Sequence, residues 1–115
     1  MTQETPLFTK TFDLLVCLLQ ASEKFPRSQR IVLGRRIQET ALGFLDLLLR
    51  ARKCAVAERL DLLHQADVEL DRLRYTVRLC QELGLLSLKQ YQYAAGLLVE
   101  TGKLLGTWVK RYNEA

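Results

Sequence analysis

The chain has 115 residues, of which 49% are hydrophobic and 26% are charged, a composition that is ordinary for a globular domain and excludes a disordered chain. Its length suits one domain with one core, so we expect residues 1–115 to form a single unit. The opening MTQETP lacks the basic start and apolar run of a signal peptide. The longest apolar run, LLVCLL, is far shorter than the roughly 20 residues of a membrane span, so we expect a cytoplasmic protein that does not contact the membrane.

Two helices are predicted in the first half of the chain. Thr5 followed by Pro6 is typical of an N-cap and a first helical position. This first helix should end near Lys24, because the residue before Pro26 is pushed out of the helical region. A second helix is predicted from about Ser28 to about Lys53.

Two further helices are predicted in the second half. Apolar residues spaced by three and four indicate a third helix from about Val56 to Leu83, which Gly84 terminates. Ser87 and Gln90 fit a capping box that opens a fourth helix, from about Leu88 to Tyr112. No alternating strand pattern occurs and the connections are short, so we predict an all-α, up-down-up-down antiparallel four-helix bundle.

The first two helices carry more apolar residues than a lone bundle needs. On the first helix, Phe12 and the run 14–19 leave a polar gap only at Asp13 and Gln20. The second helix repeats this pattern around Phe44, whereas a surface helix usually shows an apolar stripe of about 100° or a little more. We therefore predict that copies of the chain associate, with Phe44 among the packing residues.

Two glycines interrupt the fourth helix one turn apart. Each of Gly102 and Gly106 costs about 1 kcal/mol relative to alanine inside a helix. Small residues let another helix approach closely, either inside one bundle or between copies, and the sequence leaves both alternatives open. We assign Gly102, Gly106 and the following Trp108 to oligomer packing.

Catalytic and metal-binding patterns are missing from the sequence. The single histidine, His64, lies mid-helix, and Asp61 three residues before it supplies only half of a di-iron motif. No Gly-rich phosphate loop follows a strand. Three scattered cysteines without a CxxC indicate free buried thiols. We predict a protein without enzymatic activity, metal or cofactor.

Clustered cations suggest a binding surface. Residues 24–36 hold five cations and no acid, whereas residues 58–71 carry a local charge of −4. Cations at helix C-termini have a simple electrostatic explanation, and this covers Arg50, Arg52, Lys53, Lys110 and Arg111. That explanation fails at the start of the second helix, where the helix dipole disfavours cations. Arginine suits phosphate because its planar group donates in pairs, so we consider both a nucleic-acid site and a solvated basic face.

Three segments resemble a known family. These are FPRSQR at 25–30, LRYTVRL at 73–79 and GKLLGTWVKRYN at 102–113. They are similar to a proline followed by basic residues between helices 1 and 2, a Leu-Arg-x-x-apolar-Arg motif on helix 3, and a closing helix with glycine-x-x-leucine-glycine-x-tryptophan. This combination resembles the accessory variability determinant proteins of diversity-generating retroelements, which belong with the ribosomal-RNA intervening-sequence proteins to a wider group of small four-helix bundles.

The resemblance implies a non-enzymatic accessory subunit. It implies a homopentamer shaped like a short barrel, with a basic surface for RNA or DNA and a direct partnership with the retroelement's reverse transcriptase. In that scheme the complex copies a template RNA with errors. We assign nucleic-acid or polymerase binding to a set of basic residues on three of the helices: Arg74, Arg78, Arg27, Arg30, Arg35, Arg36, Lys110 and Arg111.

Two alternatives remain open from the sequence. One is a nucleic-acid-binding bundle of the ribosomal intervening-sequence kind that has no polymerase partner. The other is an assembly protein whose arginines serve contacts between copies.

Overall fold

A computed structural model describes residues 5–113 of the chain and the side chains of residues 5–112. The helices are α1 (Thr5–Glu23), α2 (Arg27–Gln29), a π-helical segment (Arg30–Gly34), α3 (Arg35–Lys53), α4 (Val56–Glu82) and α5 (Leu88–Asn113). No strand occurs in residues 5–113. The all-helical prediction is confirmed, and the helix ends fall within one residue of the predicted ones.

One irregularity in the second predicted helix was not anticipated. The helix α2, the π-helical segment and α3 follow one another without a break and form a single rod. Within it the Arg35 N–H donates to the Arg30 carbonyl, five residues back, which is the π-helical pattern. Gly34 is buried there, and a Cβ at this position would lie 3.5 Å from the Ser22 carbonyl oxygen. This distance is an ordinary van der Waals contact, so the rod lies directly against the end of α1 at Gly34.

The four rods pack in the order of the chain. The first rod, α1, contacts α3 and α5, and α4 contacts α3 and α5 on the other side. The connections span residues 24–26, 54–55 and 83–87, and such short links make neighbouring helices antiparallel. The described part of the chain measures 46 × 23 × 21 Å.

The predicted stop at Gly84 and the predicted capping box at Ser87 and Gln90 are both confirmed. Gly84 has φ of +76°, the left-handed conformation that glycine adopts easily. The N–H of Leu85 donates to the Cys80 carbonyl at 2.9 Å, which completes a Schellman motif. In the capping box, the Gln90 N–H donates to Ser87 Oγ at 3.1 Å and the Ser87 N–H donates to Gln90 Oε1 at 2.8 Å. At the start of α1, Thr5 is already helical.

The hydrophobic core runs the length of the bundle and contains Phe44 and Trp108, which the sequence assigned to packing between copies. Phe44 is 0% exposed and Trp108 is 2% exposed in the single chain, and Phe8 meets the Trp108 ring edge-on at 6.3 Å between centroids. Side chains this deeply buried offer no surface to a second copy, contrary to their predicted part in oligomer packing. The apolar excess around Phe44 and the position of Trp108 after two glycines do not show which face of each helix turns inward.

The apolar excess on the first two helices lies partly on the surface. Phe12 on α1 is 65% exposed, and Val16 and Leu42 are exposed as well. The core of one chain therefore does not use every apolar side chain on these helices.

Candidate nucleic-acid interface

The two motif arginines face a groove between α4 and α5. Asp71, Arg74, Tyr75 and Arg78 of α4 line one wall of this groove, which has a volume of about 310 Å³. Their spacing by three and four places them on one face of the helix, beside the core positions Leu70, Leu73 and Val77. We call this cleft the α4/α5 groove.

The opposite wall belongs to α5 and is mostly apolar. It consists of Tyr91, Ala95, Leu98 and Val99. Val99 is 50% exposed and Tyr91 is half-buried, so the wall is open to solvent along its outer edge. The α4/α5 groove thus sets two guanidinium groups opposite an aliphatic surface.

Arg74 is held in place inside the groove. Its Nη1 donates to Asp71 Oδ1 at 2.5 Å, within the same helix. Its Nη2 lies against Gly102 of α5, in the space that a Cβ at this position would occupy. The group nearest Gly102 is thus the Arg74 side chain of the same chain, and the predicted part of Gly102 in packing between copies stays a prediction.

The second glycine of the closing helix behaves differently. Gly106 is exposed, and a Cβ built on it would meet no described atom within 4 Å. Within one chain, Gly106 makes no tight helix crossing. Its predicted part in packing between copies stays a prediction.

Arg78 and Tyr75 are exposed on the α4 wall of the α4/α5 groove. Arg78 is exposed and forms no hydrogen bond or ion pair with any residue that the structure describes. Tyr75 is 71% exposed, beside it on the same face of α4. A positive charge without a counter-ion next to an exposed aromatic ring is suited to an anionic ligand that also carries a flat ring.

The basic start of the second rod lies apart from the α4/α5 groove. Arg27, Arg35 and Arg36 are exposed, and Arg36 borders a polar cleft between α3 and α4, on the other side of α4. Arg30 has a structural contact, because its Nη1 donates to the Glu23 carbonyl at the end of α1, at 3.4 Å. The four predicted cations at the start of the second rod therefore do not lie in the same site as Arg74.

Lys110 and Arg111 mark a third location. Arg111 follows Val99 by twelve residues on α5, which corresponds to about 18 Å along the helix. Both residues lie near the end of the bundle where α3 ends in Arg50, Arg52 and Lys53. The structure thus divides the eight predicted cations among three regions.

Two local ion pairs reduce the charge of the acidic stretch. Glu69 pairs with Arg72 at 2.8 Å, and Asp71 pairs with Arg74. Both pairs have the i,i+3 spacing that places residues side by side on a helix, so the two ion pairs could have been predicted from the sequence.

Sequence reasoning missed the role of Arg59. Its Nε donates to the Ala51 carbonyl at 2.6 Å, its Nη2 to the Cys54 carbonyl at 3.1 Å, and its Nη1 to Tyr112 Oη at 2.8 Å. The guanidinium also lies 5.2 Å from the centroid of the Tyr112 ring. Arg59 therefore joins the end of α3 to the end of α5, a contact between residues 53 positions apart that no local pattern announces.

The described residues also contain few groups suited to metal binding or nucleophilic chemistry. Residues 5–113 hold no cluster of three His, Cys, Asp or Glu residues able to bind a metal, and His64 is exposed on α4. Burial raises the pKa of the Cys80 thiol to about 11, so this sulfur stays protonated and unreactive at neutral pH. Among the described helices, none combines the length and the apolar character that crossing a bilayer requires.

The fold and the groove define a small all-helical bundle protein with separate basic surfaces. The sequence model of the bAvd-like family matches residues 7–112, a range that contains all the predicted cations, so the chain belongs to the bAvd-like family. This match confirms the resemblance to the Avd-like proteins of diversity-generating retroelements. The family is of an accessory, non-catalytic kind. No curated protein matches the chain.

Proposed function

We propose that the chain is the accessory subunit of a diversity-generating retroelement, in which it binds the reverse transcriptase and the template RNA and supports mutagenic reverse transcription. Membership of the bAvd-like family supports the retroelement context. The observation that carries RNA binding is Arg78, an exposed guanidinium in the α4/α5 groove without a counter-ion among the described residues. Arginine binds phosphate in pairs of charge-assisted hydrogen bonds, which suits it to an RNA backbone.

A second surface is available for the polymerase. Arg27, Arg35 and Arg36 project from the acid-free segment 24–36, and the exposed Ile31 and Val32 lie between them on the π-helical segment. Protein interfaces combine apolar contact with arginine, whereas phosphate binding alone has no use for exposed aliphatic residues. We assign the polymerase contact to this segment.

The functional unit in this proposal is a homopentamer in the cytoplasm. Phe12, Val16 and Leu42 present apolar surface on α1 and α3 that the core of one chain leaves exposed. A closed ring joins two different faces of each copy, so these residues would meet another surface of the next copy. Repetition around the ring would bring five α4/α5 grooves into one electrostatic field, which strengthens binding to a long anion.

The test is RNA affinity as a function of salt, with Arg78→Ala compared to the unaltered protein. Each phosphate contact contributes about 0.7 to 0.9 to the slope of log K against log salt, so Arg78→Ala should flatten the slope by at least that amount. Arg50→Ala is the matched control, because it removes the same charge from an exposed position at the far end of α3. Equal slopes for Arg78→Ala and Arg50→Ala would show that the groove makes no specific phosphate contact.

Co-purification with the cognate reverse transcriptase tests the second half of the proposal. An Arg35→Glu and Arg36→Glu double variant should lose the polymerase and keep the oligomeric mass. RNA binding without any polymerase partner would instead point to a bundle of the ribosomal intervening-sequence kind. Absence of RNA binding at low salt would leave an assembly protein whose arginines contact other copies.

A further inference from the structure

The two walls of the α4/α5 groove differ in a way that a phosphate site alone does not require. Arg78 supplies positive charge, yet Tyr75 next to it is 71% exposed and Val99 opposite is 50% exposed. Exposed aromatic and aliphatic side chains beside a free cation have no role in binding a bare phosphate. They match a ligand that joins an anionic group to a flat, weakly polar ring.

The size of the groove restricts that ligand. A volume of about 310 Å³ lies at the lower end of ligand-binding pockets, which span about 300–1,000 Å³. Double-stranded RNA is read across its minor groove by surfaces that follow about 16 base pairs, and its bases are stacked and closed to side chains. An unpaired base, in contrast, can turn outward and stack on an aromatic ring.

We propose that the α4/α5 groove binds one unpaired nucleotide of single-stranded RNA, an inference that rests on the proposed RNA-binding function and names the form of RNA recognised. Arg78 contacts the phosphate, and Tyr75 stacks on the base. The aliphatic wall at Leu98 and Val99 covers the other side of the base.

Arg74 is a positioning residue in this arrangement. Asp71 and the space above Gly102 hold its guanidinium at the base of the groove, so its charge is partly neutralised and its location is set before the ligand arrives. Asp71 also places one negative charge next to the phosphate position. It therefore weakens binding of the anion while it orders Arg74.

A protein segment fits the groove less well. An acidic side chain of a partner would satisfy Arg78, but a second, apolar side chain would be needed to cover the Tyr75 ring and the aliphatic wall. A nucleotide uses the cation, the aromatic ring and the apolar wall together. The polymerase is therefore assigned to a different surface, and its binding to the groove is an outcome of the test.

The experiment compares two RNA probes on the protein of 115 residues. One is a ten-nucleotide single strand with a fluorophore, and the other is the same sequence annealed into a blunt duplex. Stacking on a base contributes about 1–3 kcal/mol, so Tyr75→Ala should weaken the single strand by about 5- to 150-fold and leave the duplex nearly unchanged. Tyr93→Ala is the control, because Tyr93 is also exposed, at 60%, but lies on the face of α5 toward α1.

A second variant is expected to bind the single strand more tightly, a result that loss of folding could not produce. Asp71→Asn removes a like charge near the phosphate position, while its amide oxygen can still accept the hydrogen bond from Arg74 and keep that side chain ordered. Binding of the single strand should therefore tighten by about two- to five-fold. Loss of affinity in Asp71→Asn would overturn the role given to Asp71.

The other outcomes separate this inference from the proposed function. Equal effects of Tyr75→Ala on the two probes would overturn the unpaired-nucleotide site, while RNA binding as such would stand. Loss of the polymerase or of the oligomer in Tyr75→Ala, with single-strand affinity intact, would make the groove a protein contact. Failure of the unaltered protein to bind either probe would instead remove the proposed RNA-binding function.

Discussion

Replacing Gly102 by alanine tests the contact between α5 and Arg74. A Cβ at this position would coincide with Arg74 Nη2, while the next nearest atoms are Arg74 Cζ at 3.5 Å and Leu70 Cδ2 at 3.7 Å. Only the flexible end of one side chain has to move. The bundle should therefore accept the alanine, and Arg74 should leave its place beside Asp71.

The expected free energy follows from two opposing terms. Alanine is more favourable than glycine inside a helix by about 1 kcal/mol. The Arg74–Asp71 pair is partly exposed, with 37% and 58% side-chain exposure, and such pairs contribute about 0–1 kcal/mol. Gly102→Ala should therefore change the free energy of unfolding by about 0 to +1 kcal/mol.

Gly106→Ala is the matched control, one turn further along the same helix. Its Cβ would meet no described atom within 4 Å, so the full gain of about 1 kcal/mol should appear. For a chain of this length that gain raises Tm by about 4 °C. The difference between the two glycine variants reports the cost of displacing Arg74.

The assay is urea denaturation followed by circular dichroism at one fixed protein concentration, with both glycine variants in the native and the Arg74→Ala backgrounds. In the Arg74→Ala background, Gly102→Ala should stabilise as much as Gly106→Ala does. A Gly102→Ala penalty that survives the loss of Arg74 would refute the proposed contact. Destabilisation of Gly106→Ala by more than about 1 kcal/mol would instead indicate a close contact with another copy.

Three further predictions concern stability. Arg59→Ala should lower the free energy of unfolding by about 1–3 kcal/mol, because it leaves carbonyls at the end of α3 and Tyr112 Oη without their donor; a change below 0.5 kcal/mol in urea denaturation would contradict this. Ser87→Ala should cost about 1 kcal/mol by removing the α5 cap, whereas Ser87→Asp should retain most of the stability. Burial raises the pKa of Cys80 from 9.0 to about 11, so the folded state favours the protonated thiol. The free energy of unfolding of the unaltered protein, measured relative to Cys80→Ala, should therefore fall as pH rises from about 9 to 11 and stay constant below pH 8.

Most of the helical architecture could be predicted from local signals. Pro26 limits the end of α1, and Gly84 ends α4 because only a residue tolerant of positive φ closes the Schellman motif easily. Ser87 and Gln90 form the capping box that their spacing indicated. These interactions join residues within six positions of each other, so the sequence alone contains them.

The π-helical segment shows where local reasoning ends. Nothing in RIVLG distinguishes it from an α-helical turn, and the segment packs against α1. A Cβ built on Gly34 would lie 3.5 Å from the Ser22 carbonyl oxygen, and this distance depends on how the two helices pack. Local propensity carries no information about such a contact.

The sequence by itself determined which residues are helical, where each helix stops and which family the chain resembles, because these depend on periodicity, caps and short motifs. Only the tertiary structure decided that Gly102 makes room for Arg74, that Gly106 faces open space, and that Phe44 and Trp108 point into the core. Equal spacing on a helix does not say which neighbour a residue will meet. That choice depends on how the four rods are rotated against one another, which is set by the packing of the whole core.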